Sequence, residues 1–210
     1  MFWLNRIKLV FLGLVIVITV AGCAVKPIAN TTPKIISSWE DQQKNLAPLI
    51  YWDITGKLGI KTKDETHSTF MNWQQQANQY TITITSPIGT SVAQIDSNGH
   101  AVQLKLSDHK IYSADSLDEL LWNQLGWILP ADQLFYWIRG LPAPSTIDHQ
   151  QLNTQHQLVQ LEQSGWAIAY LDYMNADGYS LPKKIVLANP EMKLTLFISE
   201  WRIAESALRP

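Results

Sequence analysis

The chain has 210 residues, of which only 16% are charged, and a formal charge of −2. That length suits one core-forming domain with a tether, and no basic stripe is present to hold nucleic acid. One cysteine excludes an internal disulfide framework, and nine tryptophans mark either an aromatic-rich core or the lining of a greasy cavity.

The elements begin with Arg6 and Lys8 ahead of an apolar run from Leu9 to Val20. A basic segment, a short apolar core and a small-residue end predict a secretory signal peptide over residues 1–22. The run falls short of the ~20 apolar residues that a spanning helix needs. Val20-Ala21-Gly22-Cys23 has the form of a bacterial lipobox, in which the cysteine is acylated and becomes the new N-terminus. The alternative is a plain signal peptide with an incidental cysteine. Removing residues 1–22 leaves 188 residues and, with Arg6 and Lys8 gone, a formal charge of −4. Residues 23–36, with Pro27, Pro33 and no period, predict an acylated N-terminus and flexible tether. Residues 37–210 then form a single domain.

Ser37 or Ser38 can cap a short helix to about Leu46, stopped by Pro48; it carries no predicted chemistry. From Tyr51 the period changes to two. Trp52, Ile54, Leu58 and Ile60 alternate with Asp53, Thr55, Lys57 and Lys61, which predicts a half-buried strand. A second strand covers about His67 to Gln75. Its apolar residues fall in both phases, Met71 and Trp73 against Phe70, which predicts a sheet covered on both faces there. Tyr80, Ile82 and Ile84 against three threonines make a third strand. Ser86-Pro87-Ile88-Gly89-Thr90 is a turn with a bulky aliphatic at its tip. Ile88 either folds back on the core or stands out as an apolar prong for a partner or membrane. After a fourth strand, Asn98-Gly99 predicts a type I′ hairpin with positive φ at both residues.

The middle is helical. Ser116-Leu117-Asp118-Glu119 fits a capping box, followed by an apolar stripe of Leu117, Leu120, Leu121 and Leu125. Pro130 opens a second helix bearing Leu134, Trp137 and Ile138, ended by Gly140 and Pro142. β periodicity resumes near Ser145 and runs to Trp201. Ten or eleven strands with short turns predict an antiparallel sheet. The helices' apolar faces have only that sheet to cover, so a curled sheet with helices over its mouth would enclose a cavity.

Catalytic signatures are missing. The chain has no nucleophile elbow, phosphate loop, dinucleotide fingerprint or His-Glu-x-x-His. The five histidines are scattered, so no metal site is expected. Ser107-Asp108-His109 contains triad residue types, but neighbours in a turn point apart. Asp115, Asp118 and Glu119 suit a helix start.

The serial order of several segments resembles the LolB family of outer-membrane lipoprotein receptors. They are Val20-Ala21-Gly22-Cys23, Gly56-Lys57-Leu58-Gly59, Phe70-Met71-Asn72-Trp73-Gln74-Gln75, Ser86-Pro87-Ile88-Gly89-Thr90, Leu129-Pro130 and Trp137-Ile138-Arg139-Gly140-Leu141-Pro142. The resemblance covers nearly the whole chain. It implies a mainly β (α+β) fold, an incompletely closed antiparallel half-barrel of about eleven strands with helices as a lid over a hydrophobic cavity. It implies that the cavity holds the acyl chains of client lipoproteins received from a periplasmic carrier similar to LolA. It implies a protruding loop of Pro87, Ile88 and Gly89, with Ile88 in place of an exposed leucine, that works at outer-membrane phospholipid. Ala24 after Cys23 fits sorting to the periplasmic-facing leaflet of the outer membrane.

The expected function is passive. At ~0.8 kcal/mol per CH₂, about 15 methylenes are worth roughly 12 kcal/mol, so acyl chains need shelter in water. A receptor that holds them more tightly than the carrier and less tightly than a bilayer needs no nucleotide, cofactor or metal. Candidate cavity residues are Trp52, Trp73, Trp122 and Trp137, and the protein is expected to be a monomer. A different class of function is a scaffold lipoprotein of an envelope assembly complex with no lipid cavity. An envelope hydrolase would need convergent polar residues, which the sequence does not show.

Overall fold

The structure is a computed structural model that describes residues 36–127 and 129–204. The signal segment, Cys23 and the tether to residue 35 lie outside the described residues. Helix α1 (Trp39–Leu46) is capped as its sequence predicts, with Ser38 Oγ accepting from the Asp41 N–H at 3.0 Å.

The period-two segments form β1 (Tyr51–Thr62), β2 (Thr66–Gln76), β3 (Gln79–Thr85), β4 (Ser91–Ser97), β5 (Val102–Leu106) and β6 (Ile111–Ala114). After α2 (Leu117–Leu125) and α3 (Ala131–Trp137) come β7 (Ile147–Leu152), β8 (Leu158–Gln163), β9 (Trp166–Ala176), β10 (Tyr179–Ala188) and β11 (Met192–Ile203). All eleven strands lie in one antiparallel sheet ordered β6-β5-β4-β3-β2-β1-β11-β10-β9-β8-β7. The first and last strands therefore meet at its centre, with Trp52 opposite Ile203 and Thr62 opposite Met192. A bulge between Thr55 and Gly56 shifts that register, and a Cβ at Gly56 would collide with the Phe197 carbonyl. The edges β6 and β7 are joined through α2 and α3, which is the open side of a half-barrel.

Strand direction gives the sheet two distinct ends. The β2–β3, β4–β5, β7–β8 and β9–β10 turns lie with the start of β1 at one end, here the β1-start end. The β1–β2, β3–β4, β5–β6, β8–β9 and β10–β11 turns lie at the other, with Ile88 among them.

The inner face carries the core. Trp52 meets Trp73, Trp201 and Phe135 with ring centroids 5.2, 5.3 and 6.2 Å apart. Phe135 comes from α3, so that helix closes on the sheet's inner surface. Helix α2 turns Leu117, Leu120 and Leu121 into the core. Its Ser116 cap accepts from the Glu119 N–H, while Glu119 accepts from the Asp115 N–H, one residue earlier than a strict capping box.

Two local expectations change. The outer face at β2 is not covered. Phe70 is 37% exposed there and carries the Lys57 ammonium 5.3 Å from its ring centroid. Register puts Lys57 directly across from Phe70, and a cation over an aromatic face explains an apolar residue in the wet phase. The Asn98-Gly99 hairpin is not type I′, because only Gly99 takes positive φ. Asn98 instead uses its side-chain oxygen to accept from the His100 and Ala101 N–H groups, both at 2.9 Å.

Two buried polar side chains tie the lid down. Gln163, 0% exposed, accepts from Trp137 Nε1 and the Ala143 N–H, and donates to the Ala143 and Ser145 carbonyls. Arg139, just past α3, is 1% exposed with no carboxylate partner among the described residues. It donates through Nη1 to the carbonyls of Leu46, Ala47 and Leu49, and through Nε to that of Phe135.

Candidate functional site: two interior hollows and an exposed loop

The interior is not filled end to end. A hollow of about 720 Å³ opens at the β1-start end. Its walls are Trp73, Tyr80, Val102, Leu117, Leu134 and Phe135 with the buried Gln75, and its rim carries Asp115 and Asp132. The volume lies within the range of pockets that bury small ligands, and the wall chemistry is apolar and aromatic. Burial pushes the Tyr80 hydroxyl up to about 12. Helix α3 roofs the hollow. The Ala131 N–H at its start donates to Asp118 Oδ1 at 2.8 Å, which links it to α2. Desolvation holds the Asp118 carboxyl above the usual aspartate range.

A second hollow, of about 680 Å³, opens at the Ile88 end. Trp122, Leu125, Trp127, Trp166 and Met192 supply its apolar lining. The β1–β2, β8–β9 and β10–β11 turns form its rim.

The four candidate tryptophans separate. Trp73 lines the larger hollow. Trp52 is 1% exposed behind it, and its Nε1 has no hydrogen-bond partner among the described residues. Trp137 is fully buried, tied through Nε1 to Gln163, and faces neither hollow. Trp122 is 57% exposed and lines the second hollow instead of the larger one. The helix turns about 100° per residue, so committing Leu121 to the core swings Trp122 out. Trp127, Trp166 and Phe135, which sequence reasoning did not single out, supply more of the walls. The Trp166-Ala167-Ile168 alternation put Trp166 on the inner face, but nothing local marks the sheet's end.

The loop resolves one open alternative. Ile88 is 90% exposed and does not fold back on the core. The Gly89 N–H donates to the Ser86 carbonyl at 2.9 Å, closing a β-turn with Pro at its second position and Gly at its fourth. The Thr90 N–H donates to Ser86 Oγ, and the Ser86 N–H to the Thr90 carbonyl. Gly89 takes φ +84°, open to glycine without strain. Pro87 and the cross-loop bonds thus hold Ile88 out from a stiff frame. Among the described residues no group of three or more His, Cys, Asp or Glu side chains could hold a metal ion.

Filling the larger hollow tests its accessibility. Ala131 lines it at the first residue of α3. Ala131→Trp keeps the backbone N–H that bonds Asp118, so the fold should be retained. Uptake of an apolar fluorescent probe is expected to fall several-fold, read by titration of probe emission, with little change in thermal midpoint.

A helix-lidded antiparallel half-barrel with apolar, aromatic-walled hollows is an architecture suited to holding an apolar ligand. Its fold matches solved structures at low identity. A LolA superfamily protein from Nitrosomonas europaea aligns at TM-score 0.50 and 12% identity, covering 80% of this chain and 94% of that one. A DUF1329 family protein from Desulfovibrio piger aligns at TM-score 0.52 and 7% identity, covering 81% and 98%. The family model described as "Outer membrane lipoprotein LolB" matches residues 51–201. The outer-membrane lipoprotein LolB of Pseudomonas syringae is 35% identical over 79% of this chain and 81% of its own length. That of Chromohalobacter salexigens is 34% identical over 92% and 90%. The chain belongs to the LolB family, the outer-membrane lipoproteins that serve as receptors in lipoprotein localisation.

Proposed function

We propose that this protein takes lipoproteins from a periplasmic carrier, shelters their acyl chains inside the half-barrel, and releases them into the outer membrane. Family membership implies LolA and client lipoproteins as partners. The observation that carries the reading is the hollow of about 720 Å³ under α3, walled by Trp73 and Phe135. Trp52 and Trp137 act behind that wall as packing, and Trp122 acts at the opposite mouth. Pro87, Ile88 and Gly89 form the membrane-insertion loop. Cys23 carries the lipid that anchors the chain in the periplasmic-facing leaflet, with residues 24–36 as tether, and the receptor works as a monomer. The roughly 12 kcal/mol that water would cost each chain keeps it sheltered at every step, and an affinity that rises from carrier to receptor to bilayer lets transfer run without an energy source.

The test is transfer of a labelled lipoprotein from its purified carrier to the soluble domain lacking Cys23. Complex formation at near-stoichiometric amounts is expected. A domain that takes up neither lipoprotein nor an apolar probe, yet co-purifies stably with an envelope assembly, would favour the scaffold reading instead.

A further inference from the structure

Strand direction and exposure together give the molecule a polarity. Among the described residues nine large apolar side chains are exposed, and six sit at the Ile88 end of the sheet. Ile88 is in the β3–β4 turn. Val92, Ile111 and Ile147 are at the starts of β4, β6 and β7, which all begin at that end. Trp122 and Leu125 are on the last turns of α2, where that helix reaches the mouth of the second hollow. The other three, Phe70, Leu171 and Phe197, lie on the outer face of the sheet, with Lys57 and Lys183 near the two phenyl rings. The turns of the β1-start end carry no large exposed apolar side chain among the described residues.

We propose that this whole rim, and not the Ile88 loop alone, is a docking face for a phospholipid bilayer. The half-barrel stands end-on, and the second hollow opens directly into lipid as the port through which acyl chains leave. This rests on the membrane-insertion reading of Ile88 and extends it to five further residues on three strands and one helix.

Three observations select a bilayer over other occupants. The six residues come from both edge strands, the centre of one flank and the lid, so they ring an opening instead of forming a continuous patch for one protein surface. Two are on α2, and an exposed tryptophan beside a leucine suits the headgroup boundary, where an aromatic body is buried and its N–H stays wet. The two lysines in the turns of the same end are paired with carboxylates. Lys63 pairs with Glu191 at 2.9 Å, Lys110 with Asp108 at 2.7 Å, and His67 is 2.6 Å from Glu65. Asp64 and Asp148 at that end have no ion-pair partner among the described residues, so its turns offer no net positive charge to hold an anionic surface, and apolar contact should carry the binding with little dependence on salt.

The full lipidated chain, reconstituted in phosphatidylethanolamine–phosphatidylglycerol vesicles containing nitroxide-labelled lipid, provides the test. An environment-sensitive fluorophore is placed in turn through Ile88→Cys, Trp122→Cys, Ile147→Cys and, at the opposite end, Asn98→Cys. All four positions are exposed or in a turn, and near-ultraviolet circular dichroism checks the fold of each. The first three probes are expected to lose most of their emission to the lipid-borne quencher, and the Asn98→Cys probe to keep it. Quenching of the Ile88→Cys probe alone would overturn the docking face and leave the loop reading intact. Quenching of none would remove both. Cross-links between copies at Trp122→Cys and Ile147→Cys, without quenching, would assign the rim to a dimer and likewise overturn the proposal.

Discussion

An Ile88→Glu variant is expected to fold as the parent does, capture client acyl chains, and fail to pass them to a bilayer. Ile88 is 90% exposed at the tip of a turn whose bonds are all made by other residues. Its replacement therefore removes no core contact and should shift the unfolding midpoint negligibly. At the membrane the balance differs. Moving from a favourable isoleucine to a carboxylate costs roughly 3 kcal/mol on an insertion scale, which is about a hundredfold in the inserted population. The measurement is the fraction of labelled lipoprotein recovered in vesicles after transfer. Delivery at the parent rate would show that the loop does not enter lipid.

Arg139→Leu is expected to cost on the order of 4 kcal/mol of folding stability. The guanidinium is 1% exposed and lies 4.1 Å from the Phe135 ring centroid. Burial pushes it down to about 10, so it stays charged at neutral pH. Its counter-charge is the carbonyl end of α1. Nη1 donates to the Leu46, Ala47 and Leu49 carbonyls at 3.4, 3.3 and 2.9 Å, where the helix dipole is negative. Leucine fills the volume but leaves those carbonyls and that of Phe135 without this donor, at roughly 1–3 kcal/mol for each that stays dry. Arg139→Lys should recover less than half of the loss, because an ammonium lacks the planar fork that spans several acceptors and stacks on a ring. Denaturant midpoints at unchanged m-value give the readout. A shift under about 1 kcal/mol would mean that water replaces the guanidinium freely.

Most of the sheet is visible in the residue pattern. Trp52-Ile54 against Lys57-Lys61, and Tyr80-Ile82-Ile84 against threonines, are one-sided strands whose polar phase stays wet, so period alone sufficed. The turn chemistry at Ser86–Thr90 fixed a loop, but its tip could go either way from local sequence, because folding back and protruding use the same residues. Phe70 misled because a cross-strand lysine, visible only through register, supplies its partner. The exposure of Trp122 was not legible because a broad apolar face on α2 leaves the phase of its margin undecided. Arg139 and Gln163 were missed for a common reason. Each is polar, and each is satisfied by backbone groups from segments far away in sequence, so no neighbour announces its burial. The separation of the interior into two hollows depends on which side chains meet across the sheet, which spacing along one strand does not encode.

The central seam has a consequence for how the domain is made. β1 pairs with β11, nearly the whole domain away in sequence, and contributes Trp52 to the middle of the core. Until β11 is present, the edge of β1 that it covers has no partner. Closure of so non-local a ladder is slow, and the wait leaves an aggregation-prone edge open. The β1–β11 ladder therefore closes only after β11 is available, and truncation within β11 should leave that edge of β1 open.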